Sequence, residues 1–216
     1  MPPVTDAAAC LAMALAASAS PMGEWSAINF VNATGLPGRI EIRVEGEPVS
    51  RHGYAHGEFS GGLLFPAGTP IRVEASLPGC GPAPALRVAS AAGESRVVVF
   101  YAVADPAGGA ASPALRSRAL EHREPSARRS VTAIYLGARP FVVVRSDGRD
   151  VRLPPDSPME IWRGGDAAFA VALPHRRIAE RLEERGHYWL ILHDEGDGRS
   201  GHMLVPDPAY SVPVFD

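Results

Sequence analysis

Along Arg39-Ile40-Glu41-Ile42-Arg43-Val44, charged and apolar residues alternate strictly. A period of two puts Ile40, Ile42 and Val44 on one face and the charges on the other, the pattern of a strand with one wet face. The run enters Glu45-Gly46-Glu47-Pro48, a turn signal. Pro70–Ala75 alternates in the same way, after Leu63-Leu64-Phe65 and the Pro66-Ala67-Gly68 turn. Ile28–Asn32 opens this series, and Arg96–Ala102 closes it with a continuous β-branched and aromatic run. Such a run suits a strand covered on both faces.

The order then recurs. Val131–Leu136 matches the opening strand, and Phe141–Arg145 runs into Asp147-Gly148 as the earlier strand ran into Glu45-Gly46. Ala167–Leu173 takes the third place and Gly186–Leu192 the last. A repeat of domain length predicts two similar units in tandem, not a solenoid. The fold class expected is all-β, with two small antiparallel β-sandwich domains at residues 26–104 and 130–216. Residues 105–129, rich in Pro, Gly, Ser and Arg, read as a linker with one short helical turn around 114–122. His175–Arg185 fits a short helix or a strand plus turn equally well, since Ile178 and Leu182 are four apart.

Composition narrows the function. The chain of 216 residues is 46% apolar, with 21 basic and 24 acidic residues and a net charge of −3. That is ample for a core and unsuited to electrostatic capture of nucleic acid. Every basic residue is Arg, so chemistry that needs a Lys amine is excluded. Residues 1–25 contain a thirteen-residue apolar stretch, Ala7–Ala19, too short to cross a bilayer but of signal-peptide length. Its leading segment lacks the positive charge a signal peptide carries there and holds Asp6, so an alanine-rich N-terminal helix is the competing reading. Export to the periplasm or beyond is expected, with no transmembrane segment in the mature chain. With the leader removed, Cys80 stands alone and no intrachain disulfide is possible.

Candidate chemistry is thin. His52, His56 and Glu58 lie in His52-Gly53-Tyr54-Ala55-His56-Gly57-Glu58, and imidazole and carboxylate are ligands that transition metals favour. Gly53 and Gly57 oppose the helix on which two His four residues apart would converge, so a polar loop is the simpler reading. His193–His202 holds Asp194, Glu195 and Asp197 without the spacing of a calcium loop, and reads as a solvated hairpin turn. No nucleophile elbow or phosphate-cradling loop is present, and neither an enzyme nor a cofactor is expected. Trp162 and Arg163, beside a glycine pair, and Tyr210 and Phe215, in the apolar end of the chain, are candidate partner anchors, because exposed aromatics and Arg dominate interfaces.

Ile28–Thr34, the strand into Glu45-Gly46-Glu47-Pro48-Val49, and Phe65-Pro66-Ala67-Gly68-Thr69 resemble the repeat of bacterial exported β-sandwich domains. The two-unit layout over residues 26–216 is also similar to the periplasmic adaptor family of alginate O-acetylation. The second unit departs from it, with Pro154-Pro155-Asp156-Ser157-Pro158 in place of the second turn motif. The resemblance implies a non-enzymatic envelope adaptor whose partners include a polysaccharide O-acetyltransferase, and anionic polysaccharide as a further ligand. The alternatives are an exported module that binds carbohydrate or another small ligand and, less favoured, a metal-dependent enzyme at the His52–Glu58 loop.

Overall fold

The computed structural model describes residues 24–103, 112–121, 128–182, 186–195 and 199–207. Among them there is no α-helix, and none is long and apolar enough to cross a membrane. Residues 1–23, with the apolar stretch expected to be a leader, and the candidate anchors Tyr210 and Phe215 lie outside the described residues.

Nine strands form the first half: β1 (Trp25–Asn32), β2 (Arg39–Val44), β3 (Glu47–Pro48), β4 (Tyr54–Ala55), β5 (Leu63–Pro66), β6 (Ile71–Ser76), β7 (Leu86–Val88), β8 (Ser95–Val103) and β9 (Ala114–Leu120). Eight form the second: β10 (Arg129–Leu136), β11 (Val142–Ser146), β12 (Arg149–Leu153), β13 (Met159–Gly164), β14 (Ala168–Leu173), β15 (Arg176–Arg181), β16 (His187–Asp194) and β17 (Ser200–Pro206). In the first half the sheets run β3-β2-β6-β7 and β5-β1-β8-β9; in the second they run β12-β11-β14-β15 and β13-β10-β16-β17. The halves therefore repeat strand for strand, apart from β4. All four strand matches read from the sequence fall on equivalent places.

Each sandwich was expected to be antiparallel, and most pairings are. One pair in each is parallel: β1 with β8, where Ala27 faces Ser95, and β10 with β16, where Ser130 faces His187. Between the members of each pair the chain builds the whole opposing sheet, which is the long crossover that parallel neighbours require.

The four sheets stack as layers around three apolar clusters. Ile28, Phe30, Val98 and Phe100 pack on Ile40, Ile42, Ile71 and Val73 within the first half. Val144, Phe169, Val171 and Leu190 belong to the corresponding cluster of the second. Between the halves, Val31, Ala33, Val97, Val99 and Leu120 meet Ile134, Leu136, Trp189, Ile191, Met203 and Val205. This central layer explains the continuous apolar runs in β8 and β16. Their alternate residues face different cores, and neither face is wet. Outer strands such as β2 and β6 keep the alternation, because only one of their faces is covered.

One segment differs from expectation, and another settles on one of two readings left open. Ala114–Leu120, read as part of a tether with a helical turn, is instead an edge strand paired antiparallel with β8, from Val97 opposite Leu120 to Val103 opposite Ala114. Leu115 and Leu120 are buried in different clusters, while Arg116 and Arg118 occupy the wet positions that made the segment look like a linker. Within His175–Arg185, residues 176–181 form β15, hairpinned onto β14 with Val171 opposite Ile178.

Polar contacts also join the halves. Ser95 of β8 donates to the buried Asp207 carboxylate just after β17, and Arg118 pairs with Asp156 at 3.1 Å. The start of β1 lies at the same end of the body: the Gly93 amide donates to the Trp25 carbonyl and the Ala27 amide to that of Glu94.

Candidate functional site

The repeat shows where the halves differ. Residues 49–62 connect β3 to β5, whereas 154–158 suffice between β12 and β13. The longer connection is an insertion that carries β4 and all three candidate metal ligands. Gly53 anchors it at φ +62°, where a Cβ would overlap the Ile40 carbonyl oxygen, so the chain can lie against β2 only with glycine there. Two strand-like ties hold its far end: the Asn32 amide donates to Glu58 O at 3.1 Å and the Ser60 amide to Phe30 O at 2.9 Å.

One side of the insertion forms an open groove of about 500 Å³ lined by Arg39, His52, Tyr54, Glu58 and Phe59. The Arg39 guanidinium spans it, donating to His52 O at 2.7 Å, to Gly53 O at 3.0 Å and to Glu58 Oε2 at 2.7 Å. Glu58 also accepts from the Ala55 amide. Burial, then the nearby Glu58 charge, raises the Tyr54 hydroxyl above its usual pKa. Phe59 is 42% exposed at the rim.

His52 and His56 do not converge. His52 belongs to the groove, while His56 points to the second half, where its ring stands edge-on to His193 with centroids 4.9 Å apart. Glu58 is held by Arg39. Among the described residues no three His, Cys, Asp or Glu side chains are grouped to hold a metal ion. The extended loop, with glycine on both sides of His56, separates side chains that a helix would have aligned.

Around His193 lies a second polar cluster that sequence reading did not assemble. His193 is the last residue but one of β16 and is 1% exposed. Gly35 of the first half and Gly201 of β17 flank its ring, and a Cβ at Gly201 would overlap it. Its Nδ1 lies 3.4 Å from the Asp194 carbonyl, and its buried Nε2 has no hydrogen-bond partner. Burial lowers its pKa to about 4, with His56 and His202 adding like-charge repulsion. Burial also lowers His56 and His202; Glu195 opposes both shifts, Asn32 O that of His56 and Glu180 that of His202, while Arg176 lowers His202 further. The Asp194 carboxylate is turned elsewhere, accepting from Tyr135 Oη, the Ala138 amide and Arg139. The residues come from both halves, so only the pattern of the repeat, with an insertion where its partner has none, points to them in the sequence.

Of the candidate anchors, Trp162 is half-buried, packing at 70° on Phe169 with centroids 5.7 Å apart, as part of its own core. Arg163 is exposed and pairs with Glu160 at 2.6 Å. Of the acidic stretch 193–202, residues 193–195 and 199–202 belong to the paired β16 and β17 ends, with the Glu195 amide on Arg199 O at 2.9 Å, and 196–198 lie outside the described residues.

Exposed apolar side chains mark the sheet edges instead. Leu64 on β5 is 46% exposed and Met159 on β13 is 41% exposed. These two strands hold equivalent edge positions in the two halves. Compared with known proteins, the chain matches no protein-family model and no curated sequence.

Proposed function

We propose that this protein is a non-enzymatic, exported adaptor or scaffold of the cell envelope, acting in a complex that modifies an exopolysaccharide, of the alginate O-acetylation type. Its partners in this reading are envelope proteins, a polysaccharide O-acetyltransferase among them. The observation that carries the reading is the pair of equivalent edge strands, β5 and β13, each with a large apolar side chain in water and held in one body by the shared central layer. An exposed strand edge offers unpaired backbone groups, and an apolar side chain beside it offers an anchor, which together suit docking of another protein.

The test is crosslinking and affinity recovery of the tagged protein from the envelope fraction, read by mass spectrometry. Recovery of a polysaccharide acyltransferase or export protein, lost in a Leu64→Asp/Met159→Asp variant that remains folded, is the expected result. Recovery from the cytosol without such partners overturns the proposal.

The groove favours a second reading, as a carbohydrate- or small-ligand-binding module. Tyr54, Phe59 and the Arg39–Glu58 pair combine aromatic surface with fixed donors and acceptors. A saturable change in Trp fluorescence with an acidic glycan, absent in Arg39→Ala, would favour this reading over the adaptor.

A further inference from the structure

We infer that the contact between His56 and His193 is an acid-sensitive latch: neutral imidazoles hold the 49–62 insertion against the second half, and their protonation releases it. The inference does not depend on the adaptor reading.

The geometry explains why the latch requires neutral rings. His193 fills a slot between two glycine backbones, sealed by the edge of His56. A proton on its Nε2 would place a cation where there is no acceptor and almost no water. The adjacent Asp194 offsets only part of this cost, because its carboxylate is engaged by Tyr135 and Arg139 on the other side. His56 is constrained in a different way. Its Nδ1 accepts from the Gly35 amide at 3.1 Å, and protonation there would set donor against donor. Two cations at this spacing would also repel.

On His193 the neighbouring His56 and His202 disfavour added positive charge and Asp194 favours it; Glu195 favours it on His56, and Arg176 and Glu180 act in opposite senses on His202. Glu195 pairs with Arg176 at 3.8 Å, which offsets part of its pull on His56. Acid thus favours an opened insertion, in which both rings reach water and take up protons freely. Opening would also dismantle the groove, since His52, Tyr54, Glu58 and Phe59 all ride on the released segment.

The test combines histidine titration by NMR with amide hydrogen exchange on the intact protein. In the wild type, His193 should titrate at least one pH unit below an ordinary histidine. The amides of Asn32, Gly57 and Ser60, which tie the insertion to β1, should lose protection between pH 6.5 and 4.5, by about tenfold per pH unit for each proton taken up on opening. Amides of the β14–β15 hairpin should not follow. His193→Gln, neutral at every pH, should flatten that dependence, and His56→Gln should raise the His193 midpoint by unsealing its slot. A His193 midpoint at 6 or above overturns the latch. So does pH-independent protection of the insertion, or a pH dependence unchanged in His193→Gln. If His193→Gln does not fold, the wild-type midpoint and the His56→Gln shift decide the matter.

Discussion

The hydroxyl of Tyr135 is bonded to the carboxylate of Asp194, 2.7 Å from one oxygen and 2.8 Å from the other. Arg139 completes the arrangement, with a nitrogen 2.6 Å from the same carboxylate. Asp194 is the chain neighbour of His193 yet is committed to β10 and the loop that follows it. That commitment turns the neighbouring carboxylate aside, so its attraction for a protonated His193 is outweighed by the cost of burying the charged ring.

The folded-state pKa of His193 lies near 4, below the 6.5 of an exposed histidine. The unfolded chain therefore binds the extra proton first as pH falls. The stability due to neutral His193 is fully present above pH 6.5, declines through the interval down to about 4, and is absent below it. One group shifted this far accounts for about 3 kcal/mol across that window. His56 and His202 are lowered in the same sense and add to the loss. Urea denaturation at pH 7.5, 5.5 and 4.5 should show a falling midpoint, and His193→Gln should remove the largest part of the trend.

Ser95 and Asp207 join β8 to the end of β17 through a buried hydrogen bond between residues 112 apart in sequence. Asp207→Ala leaves the Ser95 hydroxyl buried and should cost about 1–3 kcal/mol. The double variant with Ser95→Ala should lose less than the sum of the single variants, because the two side chains share one buried hydrogen bond. Additive losses in a denaturation cycle would show that the two groups are not coupled.

Trp189 lies in the central layer, at 1% exposure. Trp189→Ala should cost about 3–5 kcal/mol. Because the layer belongs to both halves, the variant should lower the midpoint of one calorimetric transition and not split off a second. Residues 24–121 expressed alone would expose Val31, Val97, Val99 and Leu120 along one sheet face. Light scattering should find that fragment self-associated; a monodisperse monomer would contradict the shared core.

Gly53 and Gly46 both have positive φ, but only Gly53 faces backbone at close range. Gly46→Ala carries the conformational penalty alone, about 1 kcal/mol. Gly53→Ala adds an overlap with β2 and should cost about 1–3 kcal/mol more, with lost exchange protection confined to the insertion. Equal losses at the two glycines would remove the close approach from the explanation.

The sheet-forming pattern was legible wherever one local rule governed a segment. Ile40, Ile42 and Val44 announced a strand with a wet face, and Val97–Tyr101 announced one without. The second run did not reveal what covers its outer face. Val97 and Val99 look the same to a sequence reader whether they pack on their own sandwich or on its neighbour, so the central layer was invisible. The strand Ala114–Leu120 was missed because an edge strand of a covered sheet tolerates Arg116 and Arg118 at its open positions. Among the candidate site residues, His52, His56 and Glu58 were singled out for a shared role that the loop then divided. His193 was read as part of a solvated turn, because nothing local in His193-Asp194-Glu195 shows that Gly35 and His56 arrive from the other half.

Finally, β1 begins beside Gly93 and Glu94, and β17 ends on Ser95. The polypeptide therefore enters and leaves the body at one pole. A circularly permuted chain, with residue 207 joined by a short linker to residue 24 and new ends opened in the exposed Glu45-Gly46 turn, would keep every strand pairing described above. The four-layer stack defines this fold more closely than the order in which its strands are connected.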